Sequence, residues 1–173
     1  QHPNMTQQTK SFIDALAAQN DPPLYTLTPE QARKVLLGAQ SKPVEKPEAA
    51  IQDVRLPAGP KGTVEARIVR PRAGGRSLPI FLYIHGGGWI MGNEDTHDRL
   101  IRELAVGTGA AVVFPKYTPS PEAQYPVPHQ EIWAILEHVA ANAEHFGLDP
   151  TRIVVGGDSV GGNMAIVTSL LSK

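Results

Sequence analysis

The chain has 173 residues, 41% of them hydrophobic, which is enough for one domain with a sizeable core. Sixteen basic and seventeen acidic residues leave a formal net charge of −1, which argues against nucleic acid as a partner and against recruitment to an anionic membrane. The absence of cysteine excludes disulfides, thiolate catalysis and cysteine–zinc sites. The first eight residues contain no apolar signal segment and no run approaches the length of a membrane span, so we expect a soluble, cytoplasmic protein.

Two amphipathic helices are predicted first. One covers Thr6–Gln19, with its larger apolar side chains on a single face. The second begins at Thr28, where Thr28 and Gln31 suit a capping box and Pro29 suits the first helical position. A proline-rich connection, residues 42–48, follows the second helix.

Alternating strands at Ala50–Leu56 and Thr63–Arg70 then predict a hairpin, and a polar loop covers Pro71–Ser77. Beyond this loop, continuous apolar runs alternate with helical patterns, which is typical of parallel strands buried on both faces and joined by helical crossovers. We therefore expect an α/β fold, with a mostly parallel sheet and helices on both of its faces. The predicted elements are strand Ile80–Ile84, helix Thr96–Val106, strand Ala110–Phe114, helix His129–Phe146, strand Arg152–Val155 and helix Ala165–Leu171.

The last strand and the last helix enclose the pattern Gly157-x-Ser159-x-Gly161, which is the nucleophile elbow. A serine in so sharp a turn has a strained backbone, and a side chain two residues before or after it would collide with neighbouring segments. The start of the following helix offers N–H groups and a partial positive charge to a developing anion. We therefore expect Ser159 to be the catalytic nucleophile.

Three successive glycines follow the strand that ends at Ile84 and its neighbour His85. A loop without Cβ atoms lets backbone N–H groups approach a ligand, as an oxyanion hole requires. We expect the N–H groups of Gly87, Gly88 and Val160 to form this hole. Two neighbouring side chains are predicted to belong to the substrate site: Trp89 as a pocket wall, and Asp158, which either faces the pocket or fixes the loop.

The stretches His85–Trp89 and Gly157–Gly162 resemble the two motifs of the hormone-sensitive-lipase-like esterases, bacterial family IV of the α/β-hydrolase superfamily. The resemblance implies that residues 1–48 are cap helices and linker, and that residues 49–173 are the N-terminal part of the hydrolase core. It also implies hydrolysis of short- to medium-acyl esters through an acyl-enzyme intermediate, without cofactor or metal, and a structural His85 that braces the oxyanion hole.

Two departures from the family pattern are visible. Val160 replaces the usual alanine after the nucleophile, which leaves its N–H in place but narrows the space beside the acyl carbon. The segment Lys116–Glu122 lacks the usual aspartate and arginine, so we expect a salt bridge common at that loop to be absent.

The remaining members of a catalytic triad are expected downstream, because in this fold the serine precedes both the acid and the histidine. Only residues 160–173 follow Ser159, and they contain neither. The other histidines after His85 (His97, His129, His138 and His145) fall on predicted helix starts or solvated faces, where ordinary structural roles are expected. We therefore interpret the chain as the N-terminal portion of a longer hydrolase, which needs the rest of its polypeptide for activity; a homodimer is left open.

The motifs leave other functions open. An amidase or deacetylase would use the same serine against a nitrogen leaving group, and a ligand-binding receptor could keep the fold without catalysis. A histidine at the expected downstream position would separate an enzyme from a receptor most simply.

Overall fold

The computed structural model describes residues 5–75 and 77–173. Residues 1–4 of the predicted cap segment, and Arg76 of the predicted polar loop, lie outside the described residues. The helices are α1 (Gln7–Ala18), α2 (Pro29–Gln40), α3 (Asp98–Thr108), α4 (Val127–Ala141), α5 (Ala143–Phe146) and α6 (Val160–Leu171), with a short 3₁₀ turn at Leu24–Thr26. The strands are β1 (Ala49–Leu56), β2 (Val64–Pro71), β3 (Leu78–Ile84), β4 (Ala111–Pro115) and β5 (Leu148–Gly157).

The strands form one mixed sheet in the order β1-β2-β4-β3-β5. Strand β3 lies between β4 and β5 and is parallel to both, whereas β2 is antiparallel to β1 and β4. Only β2 therefore runs against the common direction, and the predicted α/β-hydrolase sheet is confirmed. The carboxyl end of β3 leads into the glycine-rich loop and that of β5 into Ser159, so both motifs lie at one edge of the sheet.

Helices cover both faces of the sheet, as alternate residues of β4 show. Val112 and Phe114 belong to one buried cluster, which includes Ile101 and Ala105 of α3. Ala111 and Val113 belong to a second cluster, on the opposite face because successive strand residues point to opposite sides. This second cluster contains buried apolar side chains of α4 and α6, namely Ile132, Ile135, Leu136, Val139, Met164 and Ala165.

The N-terminal helices begin as predicted but bury little. Thr28 and Gln31 form the complete capping box, with Pro29 in the first turn of α2. Ala32 is the one buried residue of α2, and α1 has none within its span. The apolar face of α1, formed by Phe12, Ile13 and Leu16, is exposed, so the assignment of residues 1–48 to a cap stays a prediction. Within the described residues, no helix combines the length and apolar character needed to cross a bilayer.

The single helix predicted for His129–Phe146 is instead two helices separated at Asn142. The side-chain amide and the backbone N–H of Asn142 both donate to the carbonyl oxygen of His138, at 2.8 and 3.1 Å. This local bonding ends α4, because asparagine side chains compete with helical hydrogen bonds. Gly147 then adopts the left-handed conformation after α5, which is typical of a glycine that ends a helix.

Strand β5 is more exposed than its apolar sequence predicted. Ile153 and Val154 are 37% and 58% exposed, because in the described part of the chain β5 pairs with β3 alone. The following helix shows the same difference: Met164, Ala165 and Thr168 are buried, whereas the apolar residues Ile166, Leu170 and Leu171 are exposed. An apolar run indicates that a strand can be buried on both faces, but it does not show how many strands and helices pack against it.

The central position of β3 leads to a test of stability. Leu82 is fully buried in β3, and Leu82→Ala is expected to lower the free energy of unfolding by about 2–5 kcal/mol, because it leaves a cavity. The matched change Leu37→Ala, at a residue of α2 that is 40% exposed, should cost no more than about 0.5 kcal/mol. Urea denaturation of both variants measures the difference, and similar losses would contradict this description of the core.

Candidate active site

Ser159 occupies a strained turn between β5 and α6. Its φ of 52° and ψ of −122° lie outside the regions that non-glycine residues normally adopt, which costs on the order of 1–3 kcal/mol. Ser159 is the N-cap residue of α6, yet its side chain makes no capping hydrogen bond. Its exposed hydroxyl is therefore not used to cap the helix, and the predicted elbow geometry is present.

The glycines on either side of Ser159 allow two backbone segments to touch. A Cβ on Gly157 would overlap the carbonyl oxygen of Ile84 and the backbone of Gly161. A Cβ on Gly161 would overlap the same oxygen and come within 2.8 Å of the carbonyl carbon of His85. The steric argument made from the sequence is thus confirmed, and the contact places the end of β3 against the first turn of α6.

The glycine-rich loop turns sharply at Gly87, whose φ is 118°. The N–H of Met91 donates to the Gly87 carbonyl at 2.8 Å and closes the turn. A Cβ on Gly87 would overlap the carbonyl oxygen of Met91, and one on Gly86 would overlap the Asp158 carboxylate. The first two glycines are therefore required by close packing, whereas Gly88 has open space at its Cβ position and a positive φ of 64°.

The backbone donors of this region divide into used and unused groups. The N–H of Gly86 donates to the Asp158 carboxylate at 3.0 Å, and the N–H of Gly161 donates to the Asp158 carbonyl at 2.7 Å. Within the described residues, no acceptor pairs with the N–H groups of Gly87, Gly88 or Val160. The three donors predicted for the oxyanion hole are therefore among the unpaired N–H groups of this region.

Asp158 ties the elbow to the glycine-rich loop. One carboxylate oxygen accepts the Gly86 N–H and also the Tyr83 hydroxyl, at 3.0 and 2.9 Å. Burial raises the pKa of Tyr83, and the hydrogen bond to Asp158 raises it further, so the phenol stays protonated and donates. The same oxygen lies 3.6 Å from Nε2 of His97. Of the two roles predicted for Asp158, these contacts favour fixing the loop.

His85 supports the loop from beneath. The side chain is 2% exposed and stacks on Phe114 and Tyr117, with ring centroids 5.3 and 4.4 Å away. Burial lowers the pKa of His85 to about 4, so the ring is neutral at pH 7 and its Nδ1–H donates to the Gly86 carbonyl at 2.7 Å. The Tyr117 hydroxyl donates to the His85 carbonyl at 3.0 Å. These bonds agree with the bracing role that the family resemblance implied.

Sequence reasoning missed two partners of this network. His97 does begin a helix, as expected, but its side chain is only 14% exposed and faces Asp158 instead of solvent. Tyr83 lies inside the apolar run Ile80–Ile84, which by itself predicts only a buried strand. Its position one residue before Ile84 places it on the α3 face of β3, and a phenol at such a buried site needs a partner.

The segment Lys116–Glu122 is held by ion pairs despite its departure from the family pattern. Lys116 lies 2.7 Å from Glu94 and 3.0 Å from Asp53. At the other end, the guanidinium of Arg33 in α2 binds both carboxylate oxygens of Glu122 at 2.7 Å. Arg33 also donates to the carbonyl oxygens of Ile90 and Ser120, at 2.8 and 2.9 Å. The expected loss of a salt bridge at this loop is thus offset by pairs with other segments.

An open pocket of about 520 Å³ lies beside the glycine-rich loop. Gly88 and Trp89 form one side, consistent with the prediction that Trp89 is a pocket wall. The first turn of α4 and the first two turns of α6 form other parts of the lining. A substrate group in this pocket would lie next to the unused donor of Gly88.

Comparison with known proteins identifies the class. Residues 81–173, which contain the glycine-rich loop and the elbow, match a family described by its alpha/beta hydrolase fold. The chain therefore belongs to the α/β-hydrolase family. Its two motifs and its esterase relatives place it in the hormone-sensitive-lipase-like branch, the family IV esterases.

Three relatives illustrate the similarity. The carboxylesterase NlhH of Mycobacterium tuberculosis is 38% identical over 144 residues, which are 83% of this chain and 45% of that protein. A thermostable esterase from Pseudomonas putida is 40% identical, with a TM-score of 0.95 over 99% of this chain and 54% of its own. A hyperthermophilic esterase from Pyrobaculum calidifontis is 31% identical, with a TM-score of 0.83 and coverage of 97% and 54%. The chain thus spans about half the length of these relatives.

Gly87 provides a test of the loop. Gly87→Ala forces a Cβ against the Met91 carbonyl, so the loop must shift and the donors of Gly87 and Gly88 move. We expect kcat of the full-length protein with p-nitrophenyl acetate to fall about 100-fold or more. The control Gly107→Ala, in α3 with nothing within 4 Å of the added Cβ, should leave kcat unchanged. Equal activity of both variants would show that the loop is only a turn.

Asp158 provides a test of the link between loop and elbow. Asp158→Ala removes the acceptor for Gly86 and Tyr83, and we expect kcat to fall by at least about tenfold with little change in KM, because the lost bonds act through the loop. Asp158→Asn keeps an oxygen acceptor and should restore most of the loss. Steady-state kinetics separates kcat from KM, and an asparagine variant as impaired as the alanine variant would contradict this role.

Proposed function

We propose that this chain carries the nucleophile and the oxyanion hole of a serine carboxylesterase. The observation that supports it best is the set of unused N–H groups on Gly87, Gly88 and Val160, next to a serine hydroxyl that makes no hydrogen bond within the described residues. Donors that are held in place without an internal acceptor suit a charge that appears only during the reaction. The names of the relatives, esterase and carboxylesterase, support the same reaction class.

In the proposed reaction, the Ser159 hydroxyl attacks the ester carbonyl and its proton passes to a base. The carbonyl oxygen becomes an oxyanion and accepts hydrogen bonds from Gly87, Gly88 and Val160. One such donor is worth about 3–4 kcal/mol of transition-state stabilisation, and the N-terminus of α6 adds a partial positive charge. Collapse of this intermediate releases the alcohol and leaves an acyl-enzyme, which water hydrolyses in a second round of the same steps.

The base and its orienting acid are proposed to come from residues beyond Lys173. Within the chain, His85 is buried and bonded to the Gly86 carbonyl, and His97 faces Asp158. Neither ring is therefore placed to serve the hydroxyl of Ser159. Relatives about twice as long leave room for the order serine, acid, histidine that this fold uses.

The rest of the polypeptide is also proposed to complete the core. Within residues 5–75 and 77–173, β5 has one unpaired edge, and the apolar side chains of Ile166, Leu170 and Leu171 in the following helix are exposed. Open strand edges and large apolar patches favour association in water. Further strands and helices laid against β5 and α6 would cover both.

Short- to medium-acyl esters are the proposed substrates. The pocket beside Gly88 holds about 520 Å³, within the range of sites for small organic molecules. The methyl groups of Val160 reduce the space next to the acyl carbon. The exposed face of α1 (Phe12, Ile13 and Leu16) is proposed to belong to the cap and to contact the acyl chain.

Covalent labelling tests the nucleophile. A fluorophosphonate probe should label the full-length protein on Ser159 and abolish ester hydrolysis, and Ser159→Ala should lose both labelling and hydrolysis. The control Ser169→Ala, which alters a serine of the same helix that is bonded to the Ala165 carbonyl, should retain both. Labelling that persists in Ser159→Ala would refute the assignment. Specific ligand binding without labelling or turnover would indicate a receptor, and faster turnover of matched amides than of esters would indicate an amidase.

A further inference from the structure

The pocket beside the glycine-rich loop is lined by His129, a histidine with no role in the proposed reaction. Gly88 and Trp89 line the pocket on the loop side, and His129 lines it from the first turn of α4. Asn163, also in the lining, follows Ser159 by one turn of α6, and its N–H donates to the Ser159 carbonyl at 3.2 Å. The pocket is therefore a neighbour of both the nucleophile and the proposed oxyanion donors.

Most of this lining is apolar. Large side chains contribute from several segments: Trp89, Ile90, Tyr125, Pro128 and Val167. The hydroxyl of Ser120, which also lines the pocket, is already used, because it donates to the Ala123 carbonyl at 3.0 Å. At about 520 Å³ the pocket can hold a five-carbon chain or a phenyl ring. Such a group would meet few polar partners, and His129 is one of them.

His129 is held in place by packing and not by hydrogen bonds. Its Nδ1 is buried and has no hydrogen-bond partner within residues 5–75 and 77–173. The ring of Tyr125 packs edge-to-face against it, with centroids 5.4 Å apart. Burial lowers the pKa of His129, so the ring is neutral at pH 7 and carries a single N–H.

The hydrogen belongs on the other nitrogen. A buried N–H without an acceptor is rarer and more costly in proteins than a buried lone pair without a donor. The unpaired Nδ1 therefore carries the lone pair, and Nε2 carries the hydrogen. In the described part of the chain Nε2 makes no hydrogen bond, and it is not among the buried unpaired atoms, so its N–H is open to a ligand.

We propose that the Nε2–H of His129 recognises an oxygen acceptor on the apolar group that occupies this pocket. The site would then prefer esters with a second oxygen, such as a ketone, a few carbons from the scissile carbonyl over equally long hydrocarbon esters. The expected preference in kcat/KM rests on the proposed function. The expected preference in binding affinity does not require turnover.

Matched substrates isolate the acceptor. On the acyl side, p-nitrophenyl 4-oxopentanoate is compared with p-nitrophenyl pentanoate, and on the alcohol side, 4-oxopentyl acetate is compared with pentyl acetate. The pair that responds identifies which half of the ester enters the pocket. In each pair, the ratio of kcat/KM values cancels effects on the serine chemistry itself.

Three variants of the full-length protein complete the test. His129→Phe keeps a ring but loses the donor, and one pair should lose about threefold to tenfold of its preference for the ketone, as expected for one hydrogen bond. His129→Gln restores an N–H near the Nε2 position and should retain most of the preference. Gln130→Leu, a change at the exposed neighbour in α4, should leave both ratios unchanged. Ratios unaffected by His129→Phe in both pairs would overturn the proposal.

A binding measurement separates this proposal from the proposed function. In a Ser159→Ala background, dissociation constants for the two acetates and for the ethyl esters of the two acids are obtained from the fluorescence of the protein's tryptophans. The ketone of one pair should bind about threefold to tenfold more tightly, and His129→Phe should remove that difference. Absence of Ser159-dependent hydrolysis would refute the esterase, whereas equal affinity for ketone and hydrocarbon would refute the role of His129.

Discussion

The site depends on the backbone contact between the end of β3 and the first turn of α6. Gly157 and Gly161 permit it, because a Cβ on either residue would overlap the Ile84 carbonyl. This contact holds the strained Ser159 turn against the glycine-rich loop, although the two motifs are far apart in sequence. Because the contact is between backbone atoms, it also fixes the relative positions of the N–H groups in the two segments.

Hydrogen bonding around this contact leaves a small set of donors free. The Asp158 carboxylate accepts a hydrogen bond from the Gly86 N–H. The His85 ring, neutral because burial lowers its pKa to about 4, donates to the Gly86 carbonyl. Both the N–H and the carbonyl of Gly86 are thus hydrogen-bonded within the protein, so Gly86 anchors the loop and has no N–H left for a substrate. The next two glycines extend from this support with their N–H groups unpaired in the described structure.

The parts of the site that could be predicted are those that follow from local geometry. The glycines at positions 157 and 161 could be predicted because the Gly-x-Ser-x-Gly pattern is recognised within five residues, whereas the carbonyl oxygen of Ile84 that a Cβ would overlap belongs to a distant segment. The capping box at Thr28 is equally local. By contrast, the pairing of Arg33 with Glu122 joins α2 to a distant loop, and the burial of His97 against Asp158 depends on how α3 packs. The exposure of Val154 was missed for a similar reason, since it depends on the number of strands beside β5.

Arg33 has a consequence for how the N-terminal segment can be exchanged between related enzymes. Its guanidinium joins α2 to the Ile90 and Ser120 carbonyls and to the Glu122 carboxylate. A lysine could not reproduce this planar fork, because an ammonium group lacks the bidentate geometry. Helix α2 is therefore tied to the hydrolase core, despite its exposed surface. Ile90 and Ser120, which Arg33 contacts, also line the pocket. A chimera with an N-terminal segment from another esterase should therefore preserve this part of the pocket only when Arg33 and Glu122 both have their counterparts.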